Sequence, residues 1–418
     1  MAKTETHIPK LRFKGFSDVW QKQPLGNQFK LKNGFAFKSE YFQEQVSHIE
    51  VLTPGSVLPG GGYQDGKSRY YSQNGEIPQE FIFKSQDIFI TLTDLTPSAQ
   101  ALGYPAFVPK NDKIYLHNQR LGKVCDNKAN DRFLLNLLCT DFYHKYVVET
   151  ATGTTVKHSS AQNILKYEAS FPNLEEQTQI GDLFQKIDQV IEFQQKALDT
   201  ARDYKKSMLQ KMFPQKGEKV PQIRFDGFSG DWEEKKVGEI SKTTFGGGTP
   251  NTKVLEYWKG DIPWIQSSDI LIDNVLEFKP TKFINSEAVK NSATKIVPKN
   301  SLAIVTRVGV GKLALVEFEY TTSQDFLSLS YLKYDLLFSL YSLYILLQEE
   351  KNKTQGTAIK GITKVDFLSK NIFIPLRKEE QQKIGAFFQK LDQRIEQHEK
   401  KLQSYQNLKK AMLQRLFV

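Results

Sequence analysis

The chain carries the same two segments twice, and this repetition limits what it can fold into more than any other feature. Ile8–Gly26 (IPKLRFKGFSDVWQKQPLG) returns as Val220–Gly238 (VPQIRFDGFSGDWEEKKVG) at a constant offset of 212 residues. Arg12, Phe13, Gly15, Phe16, Ser17, Trp20 and Gly26 recur as Arg224, Phe225, Gly227, Phe228, Ser229, Trp232 and Gly238. A longer segment, Glu175–Phe213, returns as Glu379–Phe417 at an offset of 204. The residues between the repeats have diverged widely. Two copies are too few for a solenoid. The pattern instead predicts a duplicated domain with a shared frame and two different surfaces. The expected division is a globular domain over residues 1–172, a long helix over 173–214, a second globular domain over 215–375 and a second long helix over 376–418.

The second repeat reads as helix. Ile180, Phe184, Ile187, Ile191, Gln194, Leu198, Ala201, Lys205, Met208 and Met212 step alternately by four and three, which is a heptad seam. Its copy gives Ile384, Phe388, Leu391, Ile395, His398, Leu402, Tyr405, Lys409, Met412 and Leu416. Glu175, Glu176, Glu379 and Glu380 place negative charge in the first turn, where the helix dipole favours it. At about 1.5 Å per residue each segment makes a rod of roughly 58 Å. A narrow seam on so long a helix calls for a partner helix, either the other copy or a second chain. Gln194/His398 and Lys205/Lys409 make both seams polar at the same places. The lysines read as side chains that snorkel to solvent, with a register-setting role as the alternative.

The 418 residues carry 57 Lys+Arg against 47 Asp+Glu, a net charge of +10 and a pI near 9.1. This modest basic excess fits a polyanion such as nucleic acid without requiring one. Two cysteines, Cys125 and Cys139, are too few for a disulfide framework or a cysteine-based zinc site. MAKTETHIPK lacks the apolar core of a signal peptide. The longest apolar run, Leu336–Leu347, is too short to span a bilayer. A cytoplasmic protein is the expectation.

Catalytic motifs fail one by one. Gly309–Leu313 (GVGKL) resembles the end of a phosphate loop, but Thr306 stands where glycine is needed and Leu313 where Ser or Thr is needed. His48-Ile49-Glu50 lacks the Pro-Cys-x-x-Cys that would complete a zinc deaminase site. There is no Gly-x-Ser-x-Gly and no His-Glu-x-x-His. No two prolines are adjacent, which excludes the Asn/Asp-Pro-Pro-aromatic motif of amino-methyltransferases. The six histidines are scattered and read as structural. No metal or cofactor is expected in this chain.

The diverged segments read as mixed α/β. Strands are expected over Ile82–Leu92 and Leu302–Thr306, and helices over Arg132–Thr150 and Leu336–Gln348. Glycine-rich loops at Pro59–Tyr63 and Phe245–Pro250 suit turns or close backbone approach. Faint correspondences survive between them. Gly153–His158 (GTTVKH) aligns with Gly356–Gly361 (GTAIKG), and Asn118-Gln119-Arg120 with Ser323-Gln324-Asp325.

With these residues in view, the chain resembles the specificity subunit of type I restriction-modification systems. The resemblance rests on the repeat layout, IPKLRFKGFSDVW, GFAFKSEYF (Gly34–Phe42), IPWIQSSDI (Ile262–Ile270), the GTTVKH/GTAIKG pair and the EEQ…IG…F helices. It covers the chain from about Ile8 to Val418. It implies an α+β protein of two target recognition domains joined by two antiparallel coiled-coil helices, pseudo-two-fold symmetric. It further implies a non-catalytic role in host defence. Each recognition domain would read half of a split, asymmetric DNA target, with the helices as spacer. Two methyltransferase subunits with S-adenosylmethionine would methylate adenine, and two restriction subunits would use ATP and Mg. A stand-alone DNA-modifying enzyme and a coiled-coil scaffold that never touches DNA are the competing classes.

Bases are read in the major groove by Arg or Lys for guanine, Asn or Gln for adenine, and Asp or Glu for cytosine. In the first domain the candidates are Lys67, Arg69, Tyr70, Thr91, Thr93, Asp94, Asn118, Gln119, Arg120, Lys157 and His158. In the second they are Thr249, Gln266, Ser267, Ser268, Thr306, Arg307, Lys312, Gln324 and Lys360. Gln119 and Gln324, retained in both copies, read equally as parts of the frame.

Overall fold

The computed structural model describes residues 8–307, 309–354 and 361–418. The chain divides into two units, Met1–Gln194 with Lys401–Val418, and Gln195–Lys400. Both boundaries fall inside long helices, which run over Leu174–Lys211 and Lys378–Leu416.

Unit 1 is built on a four-stranded antiparallel sheet in the order Lys30–Asn33, Leu121–Cys125, Ile88–Thr91, Pro105–Phe107. Side chains of a strand alternate between its two faces, and here both faces are covered. Ile88 and Ile90 pack among Phe133, Leu134, Leu137 and Val147 from the helices Asp131–Leu137 and Asp141–Glu149. Phe89 enters a separate cluster with Leu52, Phe83, Tyr104 and Tyr115. A second sheet, ordered Phe42–Gln43, Arg69–Tyr71, Ile49–Val51, Ile114–Leu116, ends in a parallel pair.

Unit 2 repeats this plan. Its main sheet runs Ser241–Gly246, Phe326–Leu332, Ser301–Val305, Leu313–Val316, all antiparallel. Leu302 and Ile304 face the helix side, where Phe338 and Tyr341 of Leu336–Thr354 lie. Ala303 and Val305 face the other cluster. The smaller sheet, Lys282–Ile284, Ile262–Ile265, Thr321–Thr322, again ends in a parallel pair.

The two sequence repeats are the parts that hold each unit closed. Arg12 donates from Nε and Nη2 to the two carboxylate oxygens of Glu176, at 2.7 and 2.8 Å. Arg224 grips Glu380 in the same way, at 2.7 and 2.9 Å. Next to each glutamate a glutamine ties three segments together. The Gln177 amide accepts from Asn130 N at 2.9 Å and donates to Pro172 O at 2.8 Å. Gln381 does so with Asp335 N and Pro375 O, both at 2.9 Å. Gly181 and Gly385 allow a neighbouring helix start to press against the long helix. A Cβ at Gly181 would lie 2.8 Å from Asn130 Oδ1, and one at Gly385 2.7 Å from Leu337 Cβ. Trp20 packs edge-on against Phe133 and Phe417 in unit 1, and Trp232 against Phe213 and Phe338 in unit 2.

In each unit two stretches of the long helices run antiparallel. Unit 1 pairs Phe184 with Phe417, ring centroids 6.0 Å apart, and Asp188 with Lys409 at 2.7 Å. Unit 2 pairs Phe213 with Phe388, Lys205 with Asp392 at 2.5 Å and Arg202 with Glu399 at 2.6 Å. Along the seam Ile180, Phe184, Ile187, Leu198, Met212, Ile384, Phe388, Leu402 and Leu416 are buried, and Ile191, Met208, Leu391, Ile395 and Met412 are half-buried.

The expectation that both lysines snorkel fails at Lys205. Its side chain is 7% exposed, and its ammonium is paired with Asp392 and flanked by the rings of Tyr341 and Tyr344 at 5.8 and 5.3 Å. The Tyr341 hydroxyl donates to the second Asp392 oxygen at 2.7 Å. A buried ammonium is tolerated because it is paired in this way. Lys409 is more open, at 22%. Two elements also differ from expectation. The strand is Ile88–Thr91, because Lys84–Asp87 turns back through the Asp87 carboxylate accepting from Lys84 N. The helix over Arg132–Thr150 is two helices, broken where Thr140 caps the second.

Candidate nucleic-acid interface

The main sheets of both units present one edge built by the same backbone moves. At the end of the first strand the chain crosses the start of the neighbouring strand at very close range. A Cβ at Gly34 would lie 2.1 Å from Asn118 O, and one at Gly247 1.9 Å from Ser323 O, so neither crossing admits a side chain. Phe35 N then donates to His117 O, and Gly248 N to Thr322 O, both at 2.9 Å.

The tripeptides Asn118-Gln119-Arg120 and Ser323-Gln324-Asp325 occupy the same place in these two edges. Asn118 Oδ1 accepts from Arg120 N, as Ser323 Oγ accepts from Asp325 N. Such local side-chain bonds shape a turn without a regular element. Leu92 N donates to Arg120 O at 2.9 Å, and Thr306 N to Asp325 O at 2.8 Å. The backbone is therefore fastened alike, while the third residue changes from a cation to an anion. Asp325 aligns with Arg120 in the sequence and joins the candidates through its place in the fold. The charge reversal at that aligned position was the available signal.

In unit 1, Gln119, Arg120 and His158 are exposed, and Asn118 and Lys157 half-buried. Lys157 and His158 pair as a short strand with Asp94 and Thr93, and Thr93 Oγ1 meets His158 Nδ1 at 3.0 Å. Thr91, Thr93 and Asp94 are buried and serve the protein's own loop. Thr91 Oγ1 donates to Ala101 O. The Asp94 carboxylate accepts from Thr96 N at 2.7 Å and Ala101 N at 2.6 Å. The expectation that these three offer groups to bases does not hold, because Thr91 and Asp94 spend their polar atoms on fixing residues 95–101 and Thr93 spends its hydroxyl on His158. Lys67, Arg69 and Tyr70 belong to the second sheet and the loop before it, with the Arg69 guanidinium 4.0 Å over the Phe42 ring. Beneath the edge, His117 Nε2 donates to Leu121 O at 2.9 Å, and burial pushes the His117 pKa down to about 4.

In unit 2, Thr249 Oγ1 donates to Gln324 Oε1 at 2.5 Å, which joins two of the candidates directly. Arg307 is 64% exposed, its Nε 4.0 Å from Asp325 Oδ1. Lys312 Nζ donates to Ser267 O at 2.8 Å, so this lysine pins the Gln266–Ser268 loop. Gln266 N donates to Asp269 Oδ2, and Ser268 is exposed. Thr306 is buried, its hydroxyl donating to Asp325 O at 3.1 Å; it supports the edge instead of facing outward. Lys360 and most of the GTAIKG segment lie outside the described residues. Among the described residues no group of His, Cys, Asp and Glu is arranged to hold a metal ion, and no helix is long and apolar enough to cross a membrane.

Known proteins resemble this chain in sequence and in fold. The specificity subunit of the type I restriction enzyme MjaIX from Methanocaldococcus jannaschii is 29% identical over 197 residues, 45% of this chain and 44% of that protein. The EcoR124I/EcoR124II specificity subunit from Escherichia coli is 41% identical over 101 residues, 23% of this chain and 24% of that one. The chain thus matches less than half the length of these two relatives. The crystal structure of the type I restriction-modification S subunit from M. genitalium superposes with a TM-score of 0.63 at 16% identity, covering 98% of this chain and 99% of that one. At that identity the likeness shows a common fold. The profile of the type I restriction modification DNA specificity domain matches residues 17–201 and again residues 229–404, and this protein belongs to that family.

Proposed function

We propose that the chain is the DNA-reading, non-catalytic subunit of a type I restriction-modification complex. Each unit reads one half of a bipartite, asymmetric target in the major groove of duplex DNA. The observation that carries this reading is the pair of sheet edges, whose backbones share the close glycine crossing and two corresponding hydrogen bonds while the side chains they present differ. A retained frame with divergent outward groups is what two readers of different half-sites require. The exposed Gln119, Arg120, Gln324 and Arg307 are of the types that read bases, and Lys157 and His158 suit phosphates.

The long helices set the separation of the half-sites and dock two methyltransferase subunits, and through them two restriction subunits. A cavity of about 1210 Å³ in unit 2, lined by Arg202, Lys206, Glu396 and Glu399 of both helices and by Asp273, Asn274 and Leu276, supports a docking role. S-adenosylmethionine belongs to the methyltransferase subunits and ATP with Mg to the restriction subunits, and the work is done in the cytoplasm. Methylome sequencing of cells with and without this chain tests the proposal. A split adenine-methylated motif should vanish on deletion, and a methylome unaffected by deletion would refute it. Inserting four residues near Ala201 adds about 6 Å of helix, so the gap in the motif should grow by one or two base pairs.

A further inference from the structure

Arg120 and Asp325 stand at the same backbone position of equivalent edges. Each follows a glutamine, Gln119 or Gln324, and each offers its carbonyl oxygen to the end of the central strand. Nothing in the shared frame requires either side chain. The carbonyl does the fastening, and its bond is indifferent to the residue that carries it.

The surroundings leave both side chains available. The described first domain, residues 8–172, holds four arginines. Arg12 grips Glu176, Arg132 bonds Asp182 at 2.6 Å and Arg69 stacks on Phe42. Of these four, only the Arg120 guanidinium has neither an ion pair nor a ring contact among the described residues. Asp325 sits among long contacts, with Ser323 Oγ at 3.4 Å and Arg307 Nε at 4.0 Å. Both contacts are long and therefore weak, and the side chain is 20% exposed, so an outside donor can take their place.

We infer that this position determines specificity, with Arg120 selecting guanine in one half-site and Asp325 selecting cytosine in the other. A guanidinium donates to both O6 and N7 of guanine, and a carboxylate accepts from the N4 amino group of cytosine. The inference rests on the DNA-reading role proposed above and assigns base types within it. The glutamines differ as well. Thr249 holds Gln324 by its carbonyl oxygen, whereas alanine stands at the corresponding place, Ala36, beside Gln119.

The test is methylome sequencing of cells whose chromosomal allele is replaced by R120A, R120D, D325A or D325R. R120A should relax one guanine in one half of the methylated motif by about tenfold or more, and D325A one cytosine in the other half. R120D should move the first preference toward cytosine and D325R the second toward guanine. Charge reversal can abolish binding outright, so the alanine variants decide. A motif unchanged in both, a change at a different base type, or lost methylation by alanine variants that still fold and assemble overturns the inference. A wild-type motif that survives both alanine variants refutes this position alone. A methylome indifferent to deletion of the chain refutes the DNA reading itself.

Discussion

The Arg12 guanidinium closes on both carboxylate oxygens of Glu176, whose side chain is 1% exposed. One partner comes from the first repeated segment and the other from the second, so the clamp ties the two repeats together. R12A strips a buried carboxylate of its partner and should cost unit 1 about 3–5 kcal/mol. R12K, which cannot form the two-pronged bond, should recover only part of this. Denaturant unfolding of the variants checks both. A loss below about 1 kcal/mol for R12A would show that water reaches Glu176 and replaces the arginine.

Gly181 offers a prediction whose sign is diagnostic. Replacing a glycine by alanine within a helix ordinarily stabilises by about 1 kcal/mol. At Gly181 the new methyl would meet Asn130 Oδ1 at 2.8 Å and Arg132 Cβ at 2.9 Å. G181A should therefore destabilise by about 1–3 kcal/mol through overpacking, as should G385A in unit 2. Thermal midpoints of the two variants decide, and a raised midpoint would contradict the close approach.

The two lysine–aspartate pairs of the long helices should respond unequally. Lys205 and Asp392 are 7% and 10% exposed, whereas Lys409 and Asp188 are 22% and 43% exposed. K205M leaves Asp392 buried with only the Tyr341 hydroxyl and should cost about 3 kcal/mol. K409M leaves an aspartate that water can solvate and should cost under about 1 kcal/mol. Equal losses would mean that the buried pair is hydrated.

His117 predicts acid sensitivity. Burial pushes it from 6.5 in the unfolded chain down to about 4 in the fold. Below pH 6.5 the unfolded chain takes up a proton that the native state refuses. Stability should fall as pH drops from about 6.5 to about 4, by a total of roughly 3 kcal/mol. H117Q keeps a donor and does not titrate, so the stability difference between it and the wild type should change across that window. A constant difference would show that His117 is protonated in the fold.

The duplicated frame is legible in the sequence because its central repeated residues have packing or hydrogen-bonding duties. Trp20 and Trp232, the two Arg–Glu clamps and Gly181 with Gly385 are retained in both copies for that reason. The interface was less legible. Thr91, Thr93 and Asp94 have the composition of a base-reading loop, and only the fold shows their polar atoms turned to Ala101, His158 and Thr96. Lys312 is a DNA-contacting candidate by residue type, and in the fold its ammonium tethers the loop at Ser267. Lys205 occupies a heptad position where snorkelling is the ordinary outcome, and its burial depends on Asp392, which lies far away in sequence. Side chains spent on long-range partners leave no local trace.

The crossing of the helix ends also sets a timetable for synthesis. Unit 2 is one unbroken stretch, Gln195–Lys400, whereas unit 1 needs Lys401–Val418. Trp20, Phe133 and Phe184 are made early, but the Phe417 ring that fills their cluster emerges 233 residues after Phe184 (417 − 184). At about 5–20 residues per second that is a wait on the order of ten to fifty seconds. During it the half-made unit exposes an aromatic hollow on the ribosome, and the part translated first is the part completed last.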